Sequence, residues 1–251
     1  MKQKIISIVN QKGGVGKTTS AINIASQLAS DNNVLLIDLD PQGNATSGLG
    51  VQKNNNLTVY DLLCSDVQIS SVVQETHVAQ LYILPSNADL AGAEVELVNT
   101  KQREFELGRK LKGINYNYII IDCPPSLGLL TVNALTASDS VLIPVQAEFY
   151  ALEGLSQLLN TIQAIRNTTN PNLELMGIVL TMFDKRNSLS EQVKGEVENY
   201  FGNKLFKTVI PRNVRLAEAP SYGITIYEHD KWSKGARSYK ALVKEIRQRI
   251  I

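Results

Sequence analysis

The chain has 251 residues, enough for one or two domains and for a large core without covalent staples. Apolar residues make up 43% and charged residues 20%, which excludes long disorder and a fibrous repeat, and two cysteines exclude a disulfide scaffold. The net charge is +1, but residues 1–203 carry −6 and residues 204–251 carry +7, which points to an anionic partner for the C-terminal part.

The first predicted strand is Lys4–Val9. Its apolar run is too short for a signal-peptide core, and no run approaches the ~18 residues of a transmembrane helix, so a cytoplasmic protein is expected. A helix over Lys17–Ser30 follows, then a strand at Val34–Asp38 and another at Leu81–Leu84. A helical stretch spans roughly Ala91–Leu111. Strand Tyr118–Asp122, helix Leu129–Ala137, strand Ser140–Pro144 and helix Ala151–Asn167 come next. Strand Leu175–Thr181, helix Leu189–Phe201, strand Thr208–Ile210 and helix Ser238–Ile250 complete the chain. Most of these strands are continuous apolar runs, the mark of strands buried on both faces of a parallel sheet. The alternation predicts an α/β fold: one doubly wound, mostly parallel sheet in a single domain over residues 1–251. Ligands of such sheets sit at the carboxyl ends of the strands.

The first strand runs into Lys12-Gly13-Gly14-Val15-Gly16-Lys17-Thr18-Thr19 and then a helix. The common phosphate loop, Gly-x-x-x-x-Gly-Lys, would place glycine where Gln11 stands. The mechanics hold nonetheless. The glycines let backbone N–H groups turn toward phosphate oxygens, and the helix N-terminus adds its dipole. Lys17 can reach the β- and γ-phosphates, and the Thr18 hydroxyl can ligate Mg²⁺. The second strand exits through Asp38-Leu39-Asp40-Pro41-Gln42-Gly43-Asn44. A carboxylate beside bound phosphates repels them unless it has a task, such as positioning a water. The strand at Tyr118–Asp122 ends in Asp122-Cys123-Pro124-Pro125. An apolar run closed by aspartate is the Walker B form, whose carboxylate holds Mg²⁺. Cys123 reads as a small buried filler.

KGGVGKTT, DxDPQGN and DCPPSLG together resemble the ParA/MinD family of deviant Walker A P-loop ATPases, in its short, chromosome-type Soj-like form. The resemblance covers the chain from Lys4 to about Gly223. It implies ATP and Mg²⁺ as cofactors and an ATP-dependent homodimer. It implies that Lys12 contacts phosphate across the dimer interface, that Asp40 orients the hydrolytic water and that Asp38 supports the Mg²⁺ shell. The phosphate loop would be formed by Gly13, Gly14, Val15, Gly16, Lys17, Thr18 and Thr19. In Ile210-Pro211-Arg212-Asn213-Val214-Arg215, Pro211 would pack on the base and Asn213 would hydrogen-bond its edge. Thr181-Met182-Phe183-Asp184 would add to that pocket. Arginines at positions matching Arg186 and Arg215 line the DNA face in Soj-like proteins, and Lys207, Lys231, Lys234, Arg237 and Lys240 extend the basic region. No helix-turn-helix precedes the loop, so DNA is expected to be bound without sequence preference. A ParB-type partner would stimulate hydrolysis, with the protein on the nucleoid.

Two other readings compete. The basic tail places Tyr239, Leu242, Val243, Ile246 and Ile250 at helical spacing. That pattern suits a MinD-like helix lying on lipid as well as a helix packed on the sheet. An electron carrier resembling the nitrogenase iron protein would need both cysteines, Cys64 and Cys123, near a dimer axis. Neither cysteine lies in an exposed glycine-rich loop.

Overall fold

The computed structural model describes residues 3–53, 57–148 and 151–250. Its strands are β1 (Lys4–Ile8), β2 (Val34–Asp38), β3 (Gln74–Glu75), β4 (Leu81–Leu84), β5 (Tyr118–Asp122), β6 (Ser140–Gln146) and β7 (Glu174–Thr181). They form one sheet in the order β3-β4-β2-β5-β1-β6-β7. Only the β3–β4 pair is antiparallel. The chain leaves β1, builds outward through β2 and β4, and returns to place β5 between β2 and β1. β6 and β7 then extend the opposite side.

β2 and β5 are buried at every position, which is why they read as unbroken apolar runs. Successive side chains point to opposite faces. Leu35, Ile37, Ile119 and Ile121 join one core layer with Leu62, Leu90 and Leu130. Leu36 and Ile120 join the other, with Ile22, Leu28, Leu242 and Ile246. This second layer is closed by helix Lys17–Leu28 and helix Lys234–Arg249, which pack on each other. Tyr239, Leu242, Val243 and Ile246 are all buried there, so the apolar face of the last helix covers the sheet and is not presented to lipid. Among the described residues no helix is long and apolar enough to cross a membrane.

Two sequence expectations need correction. Thr208–Ile210 is not a strand. Its neighbourhood meets β7 only at isolated points, with the Phe206 amide on the Ile178 carbonyl and the Ile210 amide on the Leu180 carbonyl, both at 2.8 Å. The Lys207 and Thr208 amides are diverted to the Glu245 carboxylate, at 3.1 and 3.0 Å. The stretch Ala91–Leu111 is not one helix. It is split into Leu90–Glu96, the 3₁₀ turns Leu97–Asn99 and Arg103–Phe105, and Glu106–Lys110. Gln102 turns the chain with φ of 55°, and buried Asn133 pins the corner by donating to the Arg103 carbonyl and accepting from the Leu107 amide.

One arginine takes the place of the strand that is not there. β7 carries an extra residue, because Val141 pairs with Leu175 and Leu142 with Gly177. The skipped Met176 carbonyl accepts from Arg249 Nη1 at 2.9 Å. The same guanidinium donates to the Lys204 and Leu205 carbonyls, at 3.2 and 3.0 Å, and lies 3.7 Å from the centre of the Phe206 ring. Gly177 is required beside it, since a Cβ there would collide with the Lys204 carbonyl. Arg249→Ala is expected to lower stability by about 2 kcal/mol, the scale of charge-assisted hydrogen bonds. Arg249→Lys should recover little, because an ammonium cannot replace a planar fork on three carbonyls. Urea unfolding of the three proteins measures both.

Candidate functional site

The site is built where β1, β2, β5 and β7 end. The loop after β1 runs over Lys12 to Gly16 and opens helix Lys17–Leu28. Gly14 and Gly16 have φ of 74° and 89°, values that side-chain-bearing residues rarely adopt. Gly16 is the helix N-cap and no side chain caps that end, so its first-turn amides are left to an anion. Two contacts from outside the loop fix its shape. Asn10 donates to the Pro144 carbonyl at 2.7 Å and accepts from the Lys12 amide at 3.0 Å. The Thr181 hydroxyl donates to the Val15 carbonyl at 2.8 Å. Sequence reasoning gave Asn10 no role. Its place at the exit of a strand, just before the glycines, was the available signal.

Lys17 is buried, and its ammonium donates to the Lys12 carbonyl at 3.0 Å. Burial lowers its pKa, with the charges of Asp122 and Asp40 opposing. Lys12 points the other way. It is half exposed and its ammonium sits 2.5 Å from a Glu148 carboxylate oxygen.

Asp38 and Asp122 are neighbours in register across β2 and β5, and both are fully buried. They differ in their partners. One Asp38 oxygen accepts from the Thr46 amide and hydroxyl at 2.8 and 2.7 Å, and the other from the Asp40 amide at 3.3 Å. Asp38 therefore holds the start of helix Asn44–Gly48 in place. Burial still pushes its pKa up to about 6. Neither Asp122 oxygen has a hydrogen-bond partner among the described residues. Burial, then the Asp38 charge, raises its pKa well above the usual carboxylate range. The Thr18 hydroxyl, near but outside hydrogen-bond geometry, opposes that rise.

An orphaned buried carboxylate beside a hydroxyl fits a divalent cation. No cluster of three or more His, Cys, Asp or Glu suited to a metal occurs among the described residues. Mg²⁺ at a phosphate site does not need one, because it takes one or two protein ligands and fills its shell with water and phosphate oxygens. Asp122→Asn should therefore raise the melting temperature of the nucleotide-free protein by a few degrees, at ~2–4 °C per kcal/mol for a chain of this size. The native carboxyl holds its proton more tightly than the unfolded chain does. Its contribution to stability is thus lost as pH rises above the unfolded value of about 4. The variant should flatten that part of the pH profile, and it should lose most of the thermal shift that Mg²⁺ with nucleotide gives the wild type.

Asp40 is buried, and its Oδ1 accepts from the Gln42 amide at 2.9 Å. The Ser86 hydroxyl donates to its carbonyl at 2.8 Å, tying the loop after β2 to the loop after β4. Beyond the phosphate loop, a cavity of about 320 Å³ is lined by Gly16, Thr19, Thr181, Met182, Pro211 and Asn213, among others. Its apolar walls and amide edge suit a flat heterocycle. Asn213 also accepts from the Arg215 amide at 2.9 Å and so starts helix Val214–Glu218.

Arg186 lies on the turn after β7, and Arg215 in helix Val214–Glu218; the segments before them are joined. The Phe183 amide donates to the Ile210 carbonyl at 3.0 Å, and the Arg212 amide to the Phe183 carbonyl at 3.2 Å. Both arginines reach solvent, and both already face an acid. Arg186 pairs with Asp184 at 2.9 Å and holds that carboxyl down at about 2. Arg215 pairs with Glu218 at 2.9 Å. The cysteines do not suit a shared cluster. Cys123 is buried and Cys64 half buried, and burial raises both thiols, Cys64 to about 11.

The family model described as an AAA domain matches residues 3–175. The chain is 56% identical over 247 residues to the sporulation initiation inhibitor protein Soj of Bacillus subtilis, covering 97% of this chain and 98% of that one. It is 54% identical over 250 residues to the chromosome partitioning protein ParA of Myxococcus xanthus, covering 98% and 88%. Among solved structures it is similar to a cobyrinic acid a,c-diamide synthase from Mycobacterium smegmatis with bound ADP and magnesium. There the TM-score is 0.85 and the identity 37%, over 97% of this chain and 93% of that one.

Proposed function

Because the chain belongs to the ParA/Soj family of chromosome-partitioning ATPases, we propose that it is an ATP-driven switch that moves or spaces replicated DNA. It hydrolyses ATP with Mg²⁺. ATP pairs two copies face to face, the pair holds duplex DNA without sequence preference, and a ParB-type partner stimulates hydrolysis so that the DNA is released. Its place is the cytoplasm, on the nucleoid. The observation that carries this reading is the buried, unpartnered Asp122 carboxylate set beside Thr18 under a glycine loop.

Each residue has a distinct task. The loop amides from Gly13 to Thr19 and the Lys17 ammonium hold the phosphates. Thr18 and Asp122 hold Mg²⁺, which neutralises charge on the phosphate oxygens. Asp40 holds and orients the attacking water, and Lys12 of each subunit adds positive charge across the interface where the transition state gathers negative charge. Pro211 and Asn213 receive the base. Arg186 and Arg215 exchange their carboxylate partners for DNA phosphates. Exposed ion pairs of this kind are weak and screened by water, so phosphates can displace the carboxylates. Lipid positioning is disfavoured because the apolar face of helix Lys234–Arg249 is already used inside the fold.

The test is binding to random-sequence duplex DNA with ATP and with ADP, titrated with salt. Binding with ATP only is expected, with log K falling by about 0.9 per decade of salt for each phosphate neutralised. Absence of binding in both states would overturn the DNA reading and leave a protein assembly as the cargo.

A further inference from the structure

Trp232 is the only tryptophan in the chain, and it is 76% exposed. One exposed apolar side chain by itself carries no meaning. This one stands out for how it is held and for what surrounds it. It lies on the turn between helix Ile226–Asp230 and helix Lys234–Arg249. Its amide donates to Asp230 Oδ1 at 3.1 Å. The next residue, Ser233, caps the following helix through the Ala236 amide. Both ends of the turn are thus fixed, and the indole is displayed on a rigid tip.

The surroundings are basic and apolar together. Lys231 Nζ lies 5.4 Å from the indole centroid, and Lys234 follows two residues on. Val214 and Tyr222, at 70% and 69% exposed, fall in the same stretch of chain. Tyr222 stacks on His229 with centroids 5.4 Å apart. His229 meets Glu218 at 3.2 Å, and Glu218 pairs with Arg215. Helix Val214–Glu218 and the start of the last helix touch directly, since a Cβ on Gly235 would stand 2.6 Å from Leu216. Arg215 and Trp232 thus stand one and three residues along the chain from this contact.

We propose that Trp232 is itself a DNA contact: an apolar wedge set against the sugar and base surface of the duplex, with Lys231 and Lys234 on adjacent phosphates. The proposal rests on the DNA-binding reading above. Basic side chains hold phosphates, and an apolar side chain inserted between them in a groove adds affinity that does not depend on charge. An anionic membrane is the weaker fit. Interfacial helices bury a whole apolar face, and here that face is spent in the core, leaving one indole.

The single tryptophan makes the test direct. With ATP and Mg²⁺, duplex DNA should change the indole emission at the same concentrations at which binding is seen by anisotropy. Trp232→Ala should weaken DNA binding roughly tenfold, the loss of one apolar contact in a groove. It should do so with an unchanged salt slope, because no charge is removed. Trp232→Phe should recover part of the loss, and Lys231→Ala should reduce the slope by about one. Wild-type binding with silent emission and an unaffected Trp232→Ala would overturn this inference and leave the DNA reading intact. No wild-type binding would overturn both. A blue shift on anionic phosphatidylglycerol vesicles, with none on DNA, would assign the surface to lipid instead.

Discussion

Asp40→Ala is expected to bind ATP and pair two subunits while losing roughly 10²–10⁴-fold in turnover, the range for removing a positioned acid–base group. The carboxylate is buried at the exit of β2, with one oxygen fixed by the Gln42 amide. In the proposed mechanism the second oxygen would hold the water. The fold should not suffer. Asp40 is a like charge that raises the pKa of both Asp38 and Asp122, so its loss relieves a repulsion and the melting temperature should hold or rise. Asp40→Asn keeps the shape but cannot take a proton, and should be nearly as slow. ATP turnover, nucleotide binding and light scattering are the three measurements. Normal turnover in the alanine variant would remove Asp40 from the chemistry.

Lys12→Gln should separate binding from pairing. Nucleotide affinity of the single subunit should change little, because in the proposed mechanism Lys17 and the loop amides hold the phosphates. The ATP-dependent dimer should be lost, and stimulated hydrolysis with it. The side chain is half exposed, and its pair with Glu148 is open to water at both ends, 52% and 45% exposed. Such a pair contributes about 0–1 kcal/mol, so any large effect on dimer formation cannot be blamed on unfolding. Light scattering with ATP shows the result, and a persistent dimer would take Lys12 out of the interface.

Much of this is legible in the sequence alone. β2 and β5 are buried parallel strands, and their unbroken apolar runs mark their ends. The phosphate loop was legible because Gly-Lys-Thr-Thr between strand and helix has few other uses. Thr208–Ile210 misled because its apolar β-branched residues suit a strand, while a carboxylate 37 residues away from Thr208 takes the amide a strand would have used. The break near Gln102 came from Asn133, a polar group on a different helix. The different hydrogen-bond partners of Asp38 and Asp122 are hidden for the same reason. Each ends an apolar run, and the Thr46 hydroxyl and amide, reaching back over eight residues, together with the Asp40 amide, tell the partnered carboxylate from the orphan.

The packing of helix Lys234–Arg249 on helix Lys17–Leu28 has a consequence for synthesis. β1 is made first but lies between β5 and β6, and its neighbouring helix stays uncovered until residue 246 or so has been added. At ~5–20 residues per second, a ribosome leaves that apolar surface open for roughly ten to fifty seconds. The nascent chain should therefore be a strong chaperone client, and it should gain resistance to protease only on release.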